Sequence, residues 1–191
     1  MERPLPNEYD PAYQKYFDIV PNGNFLELLM QNNKDTIAFF ENVPIVKHNF
    51  KYAPNKWSVK ELLQHIIDTE RMFAVRGLMA ARRDNETPIH VMDEELYARN
   101  VVVDDRTMES LLNEFIAVRQ STKILFEHFT EEQSKLFCNI ISFPMTTRAI
   151  GYFIIGHSIH HINVIKEKYL YSEKKTTNRQ HLSWHNLKRD K

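Results

Sequence analysis

The sequence predicts an all-α protein built as a four-helix bundle, and three observations carry that prediction. Four long stretches keep apolar residues at helical spacing, over about 25–43, 57–82, 107–129 and 146–170. Only four glycines and eight prolines interrupt the 191 residues, which favours long helices over many tight turns. Each stretch also opens on a side chain able to cap a helix: Asn24, Ser58, Thr107, and Thr146 or Thr147.

Composition narrows the class further. An apolar content of 42% with 26% charged residues is ordinary for a soluble globular protein, and this length suits one domain with a substantial core. Lys+Arg and Asp+Glu balance at 25 each, so no nucleic acid partner is expected. No apolar run approaches the ~18 residues of a membrane span. The opening MERPLPNEYDPAYQKYF lacks the basic start and apolar centre of a signal peptide. The single cysteine, Cys138, precludes an internal disulfide and suits a reducing compartment. The expectation is a cytoplasmic protein.

Residues 1–22 combine four prolines with Tyr9, Tyr13, Tyr16 and Phe17, which reads as an extended arm packed across the outside of the fold. Asn24 caps the first long helix, with Glu27 as a capping-box-like partner. Phe25, Leu28, Leu29, Asn32, Thr36, Phe39 and Phe40 carry its period to about Val43, before Pro44. After a connection rich in proline and asparagine, Ser58 and Glu61 form a capping box, and Trp57 can pack on Leu62 as a hydrophobic staple. That second helix runs through Leu63, Ile66, Phe73 and Gly77 to about Arg82.

Residues 83–104 break the pattern and form a long connection between helices two and three, with one short helix expected near 93–99. Tyr97 or Asp93 could overhang a pocket there; the segment reads equally as a solvated crossover. The third helix has Leu111, Leu112, Phe115, Val118, Thr122, Leu125, Phe126 and Phe129 on its apolar side. Arg119 lies off the centre of that stripe, placed to pair with a carboxylate or to meet a substrate. Thr130 and Gln133 suggest another capping box, residues 137–145 read as irregular, and the fourth helix extends to about Leu170. Its back carries Ile155, Ile159 and Ile162, which either the arm or a second subunit must cover. The domain spans 1–171, and the polar tail 172–191 is expected to be loosely ordered.

Within the fourth helix, His157 and His161 are four residues apart and so share a face about one turn apart. Ile150, Phe153, Ile154, Val164 and Ile165 fall on the same side, so the pair lies in an apolar stripe where unpaired polar groups are costly. His160 lies at the edge of that stripe. The spacing fits two ligands of one metal ion, and it also fits a hydrogen-bonded interior pair. On the second helix His65, Thr69, Met72 and Arg76 share one edge of the buried face. Inward side chains of facing bundle helices can build metal sites, and imidazole suits zinc, nickel, iron or copper. Asp68 and Glu61, at i+3 and i−4 from His65, could orient a ligand or act as a base. Arg76 could bind an anionic group.

WSVKELLQHIIDTER (57–71) and RAIGYFIIGHSIHHINVIKEKYL (148–170), with the RPLPNEY opening and the TPIHVMDEELY loop, resemble the DinB/YfiT-like superfamily of metal-binding four-helix proteins. The resemblance implies that His65, His157 and His161 form a metal triad for a divalent ion, nickel or zinc above all. It also implies a small-molecule substrate and a homodimer. Members include metal-dependent hydrolases and transferases that use a low-molecular-weight thiol. A non-catalytic protein that binds metal or a ligand, with a role in stress response, is the alternative.

Overall fold

A computed structural model describes residues 1–88, 92–138 and 144–170. Among the described residues seven α-helices follow in order: α1 (Gln14–Asp18), α2 (Phe25–Glu41), α3 (Val59–Ala81), α4 (Glu94–Asn100), α5 (Met108–Glu127), α6 (Glu131–Ser134) and α7 (Thr147–Ile165). The four long ones are the four stretches marked by periodicity. Their caps are local and strong. Ser58 accepts from the Glu61 amide while the Glu61 carboxylate accepts from the Ser58 amide, so both halves of the capping box form. Thr107 and Thr146 each accept from the amide three residues on. Asn24 accepts from Leu26 and Glu27, a one-sided cap without the return bond expected from Glu27.

Around the bundle the order is α2, α5, α3, α7, each packing on the next and α7 closing on α2. The ring of Phe25, at the start of α2, lies 5.6 Å from that of Phe126 near the end of α5 and 5.5 Å from Tyr152 near the start of α7. Gly77, near the end of α3, faces Phe126 and Ile150. Therefore α2 and α7 run one way and α3 and α5 the other. Two consecutive long helices that point the same way need a connection running the length of the bundle. The 23 residues of α3 span about 34 Å. This explains the long segment between α3 and α5, into which α4 is folded.

Two apolar clusters fill the interior. One gathers Phe17, Phe25, Phe73, Phe126, Tyr152 and Phe153, and the other Phe40, Val59, Leu63, Ile66, Phe115 and Ile165. Between them each long helix contributes buried polar residues: Asn32 and Thr36, Thr69 and Glu70, Arg119 and Thr122, His157 and Ser158. The bundle thus has a polar layer at mid-height. Arg119, only 1% exposed, donates from Nε to the Glu70 carboxylate at 2.8 and 3.1 Å and from Nη2 at 2.9 Å. Its role is the structural pairing that its position on α5 allowed.

Residues 1–22 do pack across the bundle, but they are not extended. Short 3-10 turns at Pro6–Glu8 and Pro11–Tyr13 lead into α1. Proline opens each turn, where its fixed φ and missing amide cost nothing, and Asp10 caps the second. Arg148 on α7 holds this arm through Glu8, at 2.7 and 2.5 Å. Tyr13 and Tyr16 set their rings edge-on against Phe153. At Gly156 the Tyr16 carbonyl passes so close that a Cβ would collide with backbone. Together with α2, the arm covers the back of α7: Ile155 and Ile162 are buried and Ile159 half-buried. That face alone therefore does not require a second subunit.

One further sequence expectation needs correction. Residues 137–145 are not wholly irregular, since Phe137–Cys138 (β1) pairs antiparallel with Met145–Thr146 (β2). Two-residue strands carry too little pattern to be read from period. The last helix does run to Leu170, α-helical to Ile165 and π-helical over Lys166–Leu170. The tail 172–191, with Trp184, lies outside the described residues. No helix among those described is long and apolar enough to cross a membrane.

Candidate metal centre

His65 sits in the second turn of a firmly capped helix, and His157 and His161 lie one turn apart on α7, which packs antiparallel against α3. The sequence dictates this convergence locally. Apolar neighbours on both helices force the shared flank inward, and the three imidazoles go with it. His65 Nε2 lies 3.1 Å from His157 Nε2, and His161 Nε2 lies 3.0 Å from it. The three ligand nitrogens fall within 4.8 Å of one another. His157 is 4% exposed and His65 7%, while His161 is intermediate.

Protons alone cannot satisfy this arrangement. A neutral imidazole carries hydrogen on one ring nitrogen, so His157 Nε2 is a donor or an acceptor, never both. It nevertheless faces two other Nε2 atoms. His161 Nδ1 is also buried with no hydrogen-bond partner among the described residues. Protonation offers no escape, because burial lowers the His65 pKa to about 4. Burial, with the charges of His65, His160 and Lys15, lowers His161 to about 2. Burial above all, then His161 and His65, holds His157 well below its ordinary value. All three stay neutral at pH 7, with lone pairs free to bind a cation. Nitrogens ~2.0–2.1 Å from a tetrahedral zinc stand about 3.3–3.4 Å apart, close to the two contacts that His157 makes here.

The surroundings are apolar on one side. The Trp57 ring lies 4.4 Å from that of His65 and 6.4 Å from that of His161, and the Trp57 carbonyl accepts from the Tyr169 hydroxyl at 2.7 Å. Trp57 packs on the cluster containing Leu62, as a staple should, and also walls the histidines. Beside His65, beneath α4, lies a cavity of about 10 Å³ lined by Trp57, Glu61, His65, Asp68, Met92, Tyr97, Ala98 and Val101. This volume holds about one water.

Tyr97, Asp68 and Glu61 are thus gathered with His65. Glu61 is already engaged: burial would raise its pKa, but the Ser58 amide and Lys51 outweigh that and hold it low. Asp68 differs. Burial raises its carboxyl above the ordinary 3.8, hydrogen bonds from Gln64 and Arg71 offset this only in part, and the Glu114 charge adds to it. Arg76 is not brought to this cavity. It is buried further along α3, with its guanidinium 4.6 Å from the Phe73 ring centroid and its charge felt by Tyr13 and Cys138. Asp93 caps α4 through the Leu96 amide. His160 packs edge-on against Tyr16 and His161, outside the three-nitrogen cluster. Trp57, Met92, Ala98 and Val101 are the lining residues that the sequence did not single out for a site role. Only the position of Trp57 beside the cap of the histidine-bearing helix hinted at it.

Fold and site define a class: a bundle of two parallel helix pairs, with one imidazole from its second long helix meeting two from its last. The chain belongs to the DinB superfamily, whose match covers residues 28–165. Two solved structures from Bacillus subtilis share the fold. One is YfiT, described as a probable metal-dependent hydrolase with an unusual four-helix bundle topology. It has a TM-score of 0.59 and 17% identity over 87% of this chain and 91% of its own. The other is the DinB-like protein YjoA, with a TM-score of 0.53 and 19% identity over 81% of this chain and 92% of its own. No curated protein matches this chain in sequence.

Proposed function

We propose that His65, His157 and His161 hold one divalent ion, nickel or zinc, and that the protein is a metal-dependent hydrolase of a small molecule. The single observation behind this reading is the convergence of three neutral Nε2 atoms that cannot satisfy one another. A bound ion supplies Lewis acidity and a water acidified to near neutral pKa. The chain's own residues would do the rest. Three histidines leave room for a further ligand, the pattern of a catalytic rather than a structural site. Asp68, which lines the cavity with His65 and whose pKa burial raises, would serve as the group that takes up a proton and returns it to a leaving group. Trp57 and Tyr97 would exclude bulk water and hold the apolar part of a substrate. The cavity beside His65 has room for about one water, the nucleophile that hydrolysis needs.

Transfer from a low-molecular-weight thiol, the other chemistry the family resemblance implies, would need room beside His65 for a nucleophile much larger than water. For that reason hydrolysis is preferred. Elemental analysis of the untagged protein tests the ligand set. About one metal per chain is expected, and none in the His65→Ala/His157→Ala/His161→Ala variant. Equal metal in both would end the reading. Asp68→Asn should then lower hydrolytic kcat by roughly 10²–10⁴-fold with metal content intact, and full activity in that variant would remove Asp68 from the mechanism.

A further inference from the structure

The polar layer behind the histidines forms a continuous chain of hydrogen bonds with a direction. Ser158 Oγ donates to Asn32 Oδ1 at 3.0 Å, and Arg119 Nη1 donates to the same oxygen at 2.8 Å. Ser158 has one hydroxyl proton and spends it on Asn32, so Thr36, 3.3 Å away, must donate to Ser158. Arg119 then grips Glu70 with Nε and Nη2 and reaches the Leu29 carbonyl at 3.2 Å. Thr36, Ser158 and Arg119 are at most 1% exposed, Glu70 2% and Asn32 6%.

The ends of this chain matter most. Ser158 adjoins His157 on α7, and Glu70 lies five residues beyond His65 on α3. The two helices that carry the imidazoles therefore meet twice. They meet directly at the histidines, and they are linked again around the back, through α2 and α5, by Ser158–Asn32–Arg119–Glu70. Hydrophobic packing alone leaves a helix some freedom to slide or roll, because apolar contacts have no preferred direction. A planar guanidinium forked onto a carboxylate fixes distance and orientation together.

We propose that Ser158, Asn32, Arg119 and Glu70 are positioning residues for the three-histidine site. They clamp the rotation and axial offset of α7 against α3 and so hold the Nε2 atoms at one ion's spacing. The proposal rests on the ligand set argued above. It predicts that removing the clamp loosens the metal site even when the bundle remains as stable.

Cobalt(II) titration of the metal-free full-length protein tests this, read by the visible absorption of the bound ion and by its Kd. Ser158→Ala removes the α7 end without burying a charge. Its Kd is expected to weaken about 10-fold, the effect of removing a group that orients metal ligands, with a changed absorption envelope. Ser158→Thr, which keeps the hydroxyl, should restore both. A second variant, Glu70→Leu/Arg119→Met, replaces the buried pair by apolar side chains, an exchange that usually preserves or raises stability. It should keep the wild-type guanidinium midpoint or better and still bind cobalt more weakly. Wild-type Kd and spectrum in both variants would overturn the positioning role and leave the ligand set standing. No cobalt bound by the wild type would overturn the ligand set itself, and this inference with it.

Discussion

The histidine cluster and the Glu70–Arg119 network are two groups of buried polar side chains drawn partly from the same helices, and they balance their needs in opposite ways. In the network every strong donor meets an acceptor: the guanidinium faces a carboxylate, a carbonyl and an amide oxygen, and its charge is matched by Glu70. In the histidine cluster three acceptor-capable nitrogens face one another, with at most one proton to share at each contact. A closed network of this kind rigidifies a core, whereas a cluster lacking a counterpart is a place for something to bind. Burial is common to both. The difference lies in whether the protein supplies the partner itself.

That contrast can be broken from the network side, where the largest effect is expected. Arg119→Ala leaves the Glu70 carboxylate buried and unpaired, and should cost about 3–5 kcal/mol in guanidinium unfolding. A loss below 1 kcal/mol would mean that water reaches Glu70 and the network is not closed. Acid titration probes the other side. The His65 pKa falls from 6.5 to about 4 on folding, so between those values the unfolded chain binds a proton that the folded chain refuses. The metal-free protein is therefore fully stable above pH 6.5 and weakens as pH falls toward 4, by about 3 kcal/mol from His65 alone. Flat stability across that window would show an imidazole open to solvent.

A smaller effect sharpens the same point. His161→Ala removes a ring whose polar contact, to His157 Nε2, competes with that of His65 and is not fully satisfied in the metal-free state. Above pH 6.5 its unfolding free energy should lie within about 1 kcal/mol of wild type, in contrast to Arg119→Ala. The two proteins should diverge only when zinc or nickel is added. At about 100 times Kd, metal stabilises the wild type by about 2.7 kcal/mol and the variant not at all. Calorimetry with and without metal reads both numbers. A large loss in metal-free His161→Ala would make that histidine a structural group.

Much of this was legible in the sequence because it depends on short-range chemistry. The Ser58–Glu61 box, the Thr107 and Thr146 caps and the i, i+4 histidine pair are all set within one turn of helix. His65 was legible by a longer route, through its place on a well-capped apolar helix and through the family resemblance. The network was not, since its members are separated by 49, 87 and 126 residues and no period links them. Its traces were Asn32 and Thr36 sitting in an otherwise apolar stripe, and Arg119 off the centre of another, with nothing in the sequence to join them. The short turns of the arm escaped because three residues carry no helical period, only a proline and a capping Asp10. The second role of Trp57 escaped because a staple and a site wall look the same in sequence.

The up-down-down-up course of the long helices has a further consequence during synthesis. His65 and His157 are 92 residues apart, and α7 is the last long helix to be made. A growing chain can fold α2 and α3 early, yet it holds a single one of the three imidazoles until α7 emerges and docks. One imidazole binds a divalent ion feebly, so on the proposed ligand set the site forms only once α7 has docked. On that ligand set, metal loading would belong to the finished bundle and not to the growing chain.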